Sequence, residues 1–128
     1  MEKLIQLALA DDHKIFRDGI RMAMKNREFI RILWEAEDGK DMMHKLKVKR
    51  PDILIMDIRM PGITGIETCR EMRTKEQLKN IPVLFLTADS DEYTTINAFE
   101  AGADHFITKP IRPAILIGMI HELFKISK

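Results

Sequence analysis

Three aspartates, one threonine and one lysine are the residues of this chain best suited to chemistry: Asp11, Asp12, Asp57, Thr87 and Lys109. Each stands at the end of a short apolar run. Gathered carboxylates repel one another, which costs stability or raises a pKa unless a cation joins them. A hard divalent ion offsets that repulsion, and Mg2+ takes one or two carboxylates together with waters and phosphate oxygens. A nearby lysine supplies a point charge for a phosphoryl group, and a threonine hydroxyl can hydrogen-bond one of its oxygens. An aspartate carboxylate can itself act as a nucleophile and become an aspartyl phosphate. The set suits phosphate carried on an aspartate. Taken singly, each residue is ordinary. An Asp after a strand usually caps a helix or a turn, a Thr ending a strand belongs to the strand, and a Lys before Pro is surface.

The elements that must position these residues are legible as five short apolar runs: Leu4 to Ala10, Ile30 to Ala36, Ile53 to Met56, Val83 to Leu86, and Phe106 to Ile107. Most are continuous rather than alternating, as in strands buried on both faces of a parallel sheet. Between them lie stripes at helical spacing: Phe16, Ile20 and Met24; Met42, Met43 and Leu46; Ile66, Cys69 and Met72; Ile96, Phe99 and Ala103; and Leu116, Met119, Ile120 and Leu123. These stripes are expected to face the sheet. Asp38 is the expected N-cap of the second helix, Gly102 the stop of the fourth, and Pro113 the first turn of the fifth. Strand and helix alternate five times, which predicts a doubly wound α/β fold. Such a sheet binds ligands beyond the carboxyl ends of its strands. Asp11 and Asp12 follow the first strand, Asp57 ends the third, Thr87 the fourth, and the fifth runs through Thr108 into Lys109. The second ends in the less informative Glu35 and Glu37.

Composition bounds the rest. A chain of 128 residues reads as one domain, with 45% hydrophobic and 32% charged residues arguing against disorder. Twenty-one Lys and Arg against twenty Asp and Glu leave a net charge of +1, which offers no support for direct nucleic-acid binding. One cysteine, Cys69, forms no intrachain disulfide, so a reducing, cytoplasmic setting is expected. No apolar run is long enough to span a bilayer.

The chain resembles the receiver domain of bacterial two-component response regulators, including the single-domain chemotaxis type. The resemblance runs from about Leu4 to Leu123 and rests on four motifs in order: Asp11-Asp12, the stretch Asp57 to Gly65 (DIRMPGITG), Leu86-Thr87-Ala88, and Lys109-Pro110. It implies a flavodoxin-like α/β fold, a five-stranded parallel sheet in the order 2-1-3-4-5 with five helices. It implies Asp57 as phosphoacceptor, Asp12 as a direct and Asp11 as a water-mediated ligand of Mg2+, and the backbone carbonyl of Arg59 as the third protein ligand. Lys109 and Thr87 would contact phosphoryl oxygens, as would the amides of Arg59 and Ala88, and the Lys109-Pro110 bond would be cis. The implied donor is a sensor histidine kinase or phosphotransfer protein. Water then removes the phosphate, so the domain is a signalling phosphoacceptor and not an enzyme with an external substrate. Thr87 and Phe106 are the implied switch pair, acting on the fourth helix, fifth strand and fifth helix. The listener would be a partner, an output domain of DNA-binding type, or a second copy joined on phosphorylation. The chain would be either a stand-alone receiver or a receiver domain, residues 1–128, of a longer regulator.

Several positions depart from the family pattern or invite another reading. Phe106 replaces a frequent Tyr and offers no hydroxyl. Arg59 and Asp89 each sit two residues after a motif residue, Asp57 and Thr87, and are expected to pair across the site. His13 extends the acidic pair, and the expected reading is a surface-loop histidine, since a hard ion prefers oxygen. Ile115, Leu116 and Ile117 exceed what one helix face needs, so part of that surface suits a contact. A Mg2+-dependent phosphohydrolase with an Asp nucleophile is the main alternative, but it would usually carry a second Asp where Arg59 stands. Neither G-x-G-x-x-G nor G-x-x-x-x-G-K occurs, which removes the common nucleotide-binding loops. A receiver signalling by binding alone would not need the full acid set with Lys109. The basic residues Lys45, Lys47, Lys49 and Arg50 are spread around a helix and are expected to be solvated.

Overall fold

The computed structural model describes residues 4–88 and 92–127. Five strands form one sheet: β1 (Ile5–Ala10), β2 (Ile30–Ala36), β3 (Ile53–Asp57), β4 (Val83–Thr87) and β5 (His105–Thr108). Their order is β2-β1-β3-β4-β5, and every pairing is parallel. Parallel neighbours need crossovers, and these carry helices α1 (Lys14–Met24), α2 (Gly39–Val48), α3 (Gly65–Arg73) and α4 (Glu92–Glu100); α5 (Pro113–Ser127) follows the last strand. The flavodoxin-like α/β architecture expected from the sequence is the one observed.

Alternation along the strands builds two cores. Leu7, Leu9, Ile53, Ile55, Leu84 and Leu86 point to one face and pack with Ile20 and Met24 of α1 and Leu116, Ile120 and Leu123 of α5. Ala8, Ala10, Leu54, Met56, Val83 and Phe85 point to the other and pack with Met42 and Leu46 of α2, Cys69 and Met72 of α3, and Ala98 of α4. Successive strand residues face opposite sides, so two covered faces require continuous apolar runs. β3 and β4 are buried throughout. The edge strands β2 and β5 are only partly buried, which is why Trp34 and the short fifth run blur their patterns. Among the described residues no helix is long and apolar enough to cross a membrane.

One helix turns a different side to the sheet than its pattern suggests. Ile96 and Phe99 were expected to face inward, yet they are 48% and 47% exposed, and Ala98 is the buried residue of α4. Small side chains let this backbone approach the sheet, so the bulky residues lie outward. The Ile115–Ile117 run is divided: Leu116 is buried, Ile117 half-buried and Ile115 exposed.

Local chemistry fixes the helix ends. The Asp38 side chain accepts from the Asp41 amide at 2.8 Å and caps α2. Thr64 and Glu67 cap α3 reciprocally, satisfying amides that would otherwise lack partners. Gly102 takes φ +107° just after α4, where a side chain would be strained. β5 is anchored when Asp104 accepts from the Val83 amide at 2.8 Å. Gly65 opens α3 against the sheet, its amide donating to the Ile58 carbonyl at 2.8 Å. A Cβ there would lie 2.5 Å from the Asp57 carbonyl oxygen and 3.1 Å from the Phe85 ring. Backbone cannot yield as a flexible side chain does. Gly65→Ala should therefore destabilise the fold by about 1–3 kcal/mol, read as a lower urea midpoint with an unchanged slope. An unchanged midpoint would show that the α3 junction is loosely packed.

Candidate phosphoacceptor and metal site

Because all strands run the same way, their carboxyl ends share one edge of the sheet. Asp11 follows β1, Asp57 is the last residue of β3, Thr87 the last of β4, and Lys109 follows β5. The Asp11 and Asp57 side chains are nearly inaccessible, whereas Asp12 retains 30% of its exposure. Lys109 lies between the two buried carboxylates, its Nζ 2.9 Å from Asp11 Oδ2 and 3.4 Å from Asp57 Oδ2. The lysine is held from several directions. Its backbone amide donates to the Thr87 carbonyl at 2.7 Å, its ammonium sits 3.9 Å from the centre of the Phe16 ring, and the Lys109–Pro110 peptide bond is cis.

The remaining carboxylate oxygens are also directed. Asp57 Oδ1 accepts from the Arg59 amide at 3.2 Å, and Asp11 Oδ1 accepts from the His13 amide at 2.8 Å. Burial pushes the Asp57 carboxyl above its ordinary range; the charge of Lys109 opposes this, the charge of Asp11 adds to it, and the Arg59 amide partly offsets it. One donor atom from each of Asp11, Asp12, His13 and Asp57 can be chosen so that all four lie within 4.8 Å of one another, and the group could hold a metal ion. Three carboxylates facing one ammonium leave a deficit of positive charge. A donor set dominated by carboxylate oxygen fits a hard divalent cation.

The structure thus gathers Asp11, Asp12, Asp57 and Lys109. Thr87 is fully buried at the strand end beside them. Phe106 lies further from the edge, paired in register with Phe85, half-buried, its ring 6.4 Å from that of Phe99. Arg59 and Ala88 are exposed at the mouth. Asp89, the expected partner of Arg59, lies outside the described residues. His13 is exposed, as a loop histidine should be, but its Nδ1 stands 3.1 Å from an oxygen of both Asp11 and Asp12. The surface-loop position is the expected one; the turn made by the Asp11 side chain with the His13 amide also brings the ring beside the two acids.

Two supporting residues escaped the sequence. Phe16 reads as core from its spacing, yet it stacks on the lysine. Arg17 donates to the Asp11 carbonyl at 2.5 Å and to Glu35 Oε1 at 3.1 Å. Glu35, uninformative in sequence, therefore braces the loop that carries the acids and also pairs with Arg21. These contacts join α1 to β2, and no local pattern announces them. In the basic segment, Lys45 pairs with Asp41 at 3.1 Å and donates to the Glu35 carbonyl, while Lys47 and Lys49 are exposed.

With this geometry in view, known proteins give a consistent picture. The chain is 31% identical over 119 residues to the transcriptional regulatory protein AfsQ1 of Streptomyces coelicolor, covering 93% of this chain and 51% of AfsQ1. It is 31% identical over 121 residues to the chemotaxis protein CheY of Pseudomonas aeruginosa, covering 94% of this chain and 97% of CheY. It spans about half the length of the curated transcriptional regulators it matches. A crystal structure of a two-component response regulator of the LuxR family from Aurantimonas superposes with a TM-score of 0.88 at 31% identity, covering 96% of this chain and 86% of that one. The family model for the response regulator receiver domain matches residues 7–121, which contain every residue of the acid and lysine cluster, and the chain belongs to that family.

Proposed function

We propose that this receiver domain takes a phosphoryl group from the phosphohistidine of a sensor histidine kinase or phosphotransfer protein onto Asp57. The observation that carries the reading is the placement of the buried Asp57 carboxylate at the sheet edge, sharing Lys109 with Asp11 and lying within one donor cluster with Asp12. In the transfer an Asp57 oxygen forms a bond to phosphorus as the phosphorus–nitrogen bond breaks, and the imidazole leaves with the electron pair of that bond. Asp12, Asp57 and the Arg59 carbonyl would hold Mg2+, with Asp11 acting through water, and the ion would supply charge neutralisation. Lys109 turns from the carboxylates to the new phosphoryl oxygens. The Arg59 amide, already on Asp57 Oδ1, is directed at the same region. Hydrolysis of the acyl phosphate returns the carboxylate, so the domain resets itself without an external substrate.

Phosphorylation adds roughly −1.5 to −2 charge. Thr87 is drawn toward it, and Phe106, now half-buried against Phe99, fills the space left behind. This shifts a two-state equilibrium of α4, β5 and α5. The reader of that face is a separate partner, a DNA-binding output domain, or a second copy of the chain, in the cytoplasm. The phosphohydrolase alternative loses ground because Arg59, a cation whose backbone amide serves Asp57, stands where that chemistry wants an acid.

Three outcomes test the reading. Incubation with a small phosphodonor and Mg2+ should add the mass of one phosphoryl group, and Asp57→Ala should abolish the adduct. An adduct persisting in the variant would move the acceptor elsewhere. Saturating Mg2+ should raise the melting temperature, since an ion at one hundred times its dissociation constant adds about 2.7 kcal/mol to the folded state; an unmoved melt would count against the metal site. Finally, the raised pKa of Asp57 means that the folded chain holds this proton more tightly than the unfolded one. The stability it contributes is full below the ordinary carboxyl value of 3.8 and is lost as pH rises through the higher folded value. In metal-free buffer Asp57→Asn should therefore melt higher than the parent at neutral pH, and the gap should close on acidification. A gap that widens toward acid would reverse the assigned sign.

A further inference from the structure

We propose that the π face of Phe16, and not its bulk, positions the Lys109 ammonium for phosphoryl transfer, an inference that rests on reading Asp57 as the phosphoacceptor. The lysine side chain keeps only 17% of its exposure, and its Nζ stands 3.9 Å from the centre of the Phe16 ring. At that distance the negative face of an aromatic ring attracts an ammonium, and more strongly where water is excluded. The other contacts of Nζ are Asp11 Oδ2 at 2.9 Å and Asp57 Oδ2 at 3.4 Å. An ammonium has three donors. The ring attracts the charge as a whole and leaves those donors to oxygen. Both carboxylate contacts are altered when Asp57 takes a phosphoryl group, whereas attraction to the ring does not depend on the charge of Asp57. Among the described residues, Phe16 is therefore the contact of the ammonium that can persist from the resting site into the transfer.

The competing account is packing alone. Phe16 lies in the first turn of α1 and is half-buried. It borders the small cleft beneath Asp11 and Asp57, and it also borders an open groove between α1 and α5 lined by Ile15, Gly19 and Leu116. A residue edged by an open groove is not locked in place by a closed core, so its bulk is not what this position demands. A leucine there would keep an apolar side chain but offer no negative face to the ammonium. The lysine would then be held by the two carboxylates alone, one of which is the group that reacts. Phe16 touches no reacting atom, so it is a positioning residue that acts through Lys109.

The test times phosphorylation of the full chain by phosphoramidate at saturating Mg2+. In that reaction an Asp57 oxygen bonds to phosphorus as the phosphorus–nitrogen bond breaks, and ammonia leaves with the electron pair. The parent is compared with Phe16→Leu, Phe16→Tyr and chains carrying mono-, di- or trifluorinated phenylalanine in place of Phe16. Ring fluorine withdraws electron density from the aromatic face with little change of shape. The rate should fall stepwise with each fluorine, to about threefold or more below the parent in the trifluorinated chain and in Phe16→Leu, with Mg2+ affinity within about twofold throughout. Phe16→Tyr, which keeps the face, should stay within about twofold of the parent. A trifluorinated chain as fast as the parent overturns the proposal, even where Phe16→Leu is slow or fails to fold, because packing then explains the leucine result. A rate loss matched by an equal loss of Mg2+ affinity overturns it too, since the ring would then act on the metal-holding acids. No adduct in the parent removes the phosphoacceptor reading and this role of the ring with it, whereas a normal adduct formed at equal rates removes only the role of the ring.

Discussion

Three carboxylates, brought by the ends of two strands to one corner of the sheet, share a single ammonium. That arrangement is the constraint on which the rest of the molecule turns. Asp11 and Asp57 are almost wholly buried, and Lys109 is close to both without fully compensating either. Burying a charge is costly unless it is paired, and breaking one partner from a buried pair costs about 3–5 kcal/mol. The site is therefore held in a state that a cation or a redistribution of charge would relax.

The scaffold explains how such a corner is tolerated. A parallel sheet covered on both faces supplies two apolar cores, and the central strands β3 and β4 are buried along their whole length. Each fully buried Leu, Ile or Phe contributes about 1.5–3 kcal/mol, so a handful of strand residues offsets the repulsion at the edge. The supports of the site are likewise distributed. Phe16 from α1 lies against the lysine, Arg17 ties the Asp11 carbonyl to Glu35 of β2, and Gly65 lets α3 start in contact with the Asp57 carbonyl. None of these residues needs to react. Each fixes the position of one that could.

The sequence carried the sheet and the acids clearly because both follow from short-range rules. Continuous apolar runs require strands covered on two faces, and Asp38 and Pro113 mark helix starts by local chemistry. Where reading failed, the missing information was spatial. Ile96 and Phe99 have helical spacing, but which side of α4 meets the sheet depends on how closely its backbone approaches, and Ala98 decides that. Glu35 looked uninformative because its partners lie in α1. His13 is the loop residue that it looked, but nothing in the spacing tells that an Asp11 side chain turns the backbone and brings the ring beside both acids. Charge and spacing named the ingredients of the site; only packing could say which neighbours brace them.

The family offers a reason for keeping the site self-contained. Relatives of roughly twice this length, such as AfsQ1, and one of nearly equal length, CheY, align over the same stretch. The acid and lysine cluster lies wholly within the matched residues, so its geometry does not depend on what else a relative carries. In this chain the path with physical contact runs from the Thr87 strand end through β5, where Phe106 meets Phe99, to an α4 that leaves Tyr93, Ile96 and Phe99 open. A helix held to the sheet by alanine rather than by large side chains has fewer interlocking contacts to break when its neighbour moves. The light inward packing of α4 and its bulky outward face are two consequences of the same residues, Ala98 turned to the sheet and Tyr93, Ile96 and Phe99 turned away from it.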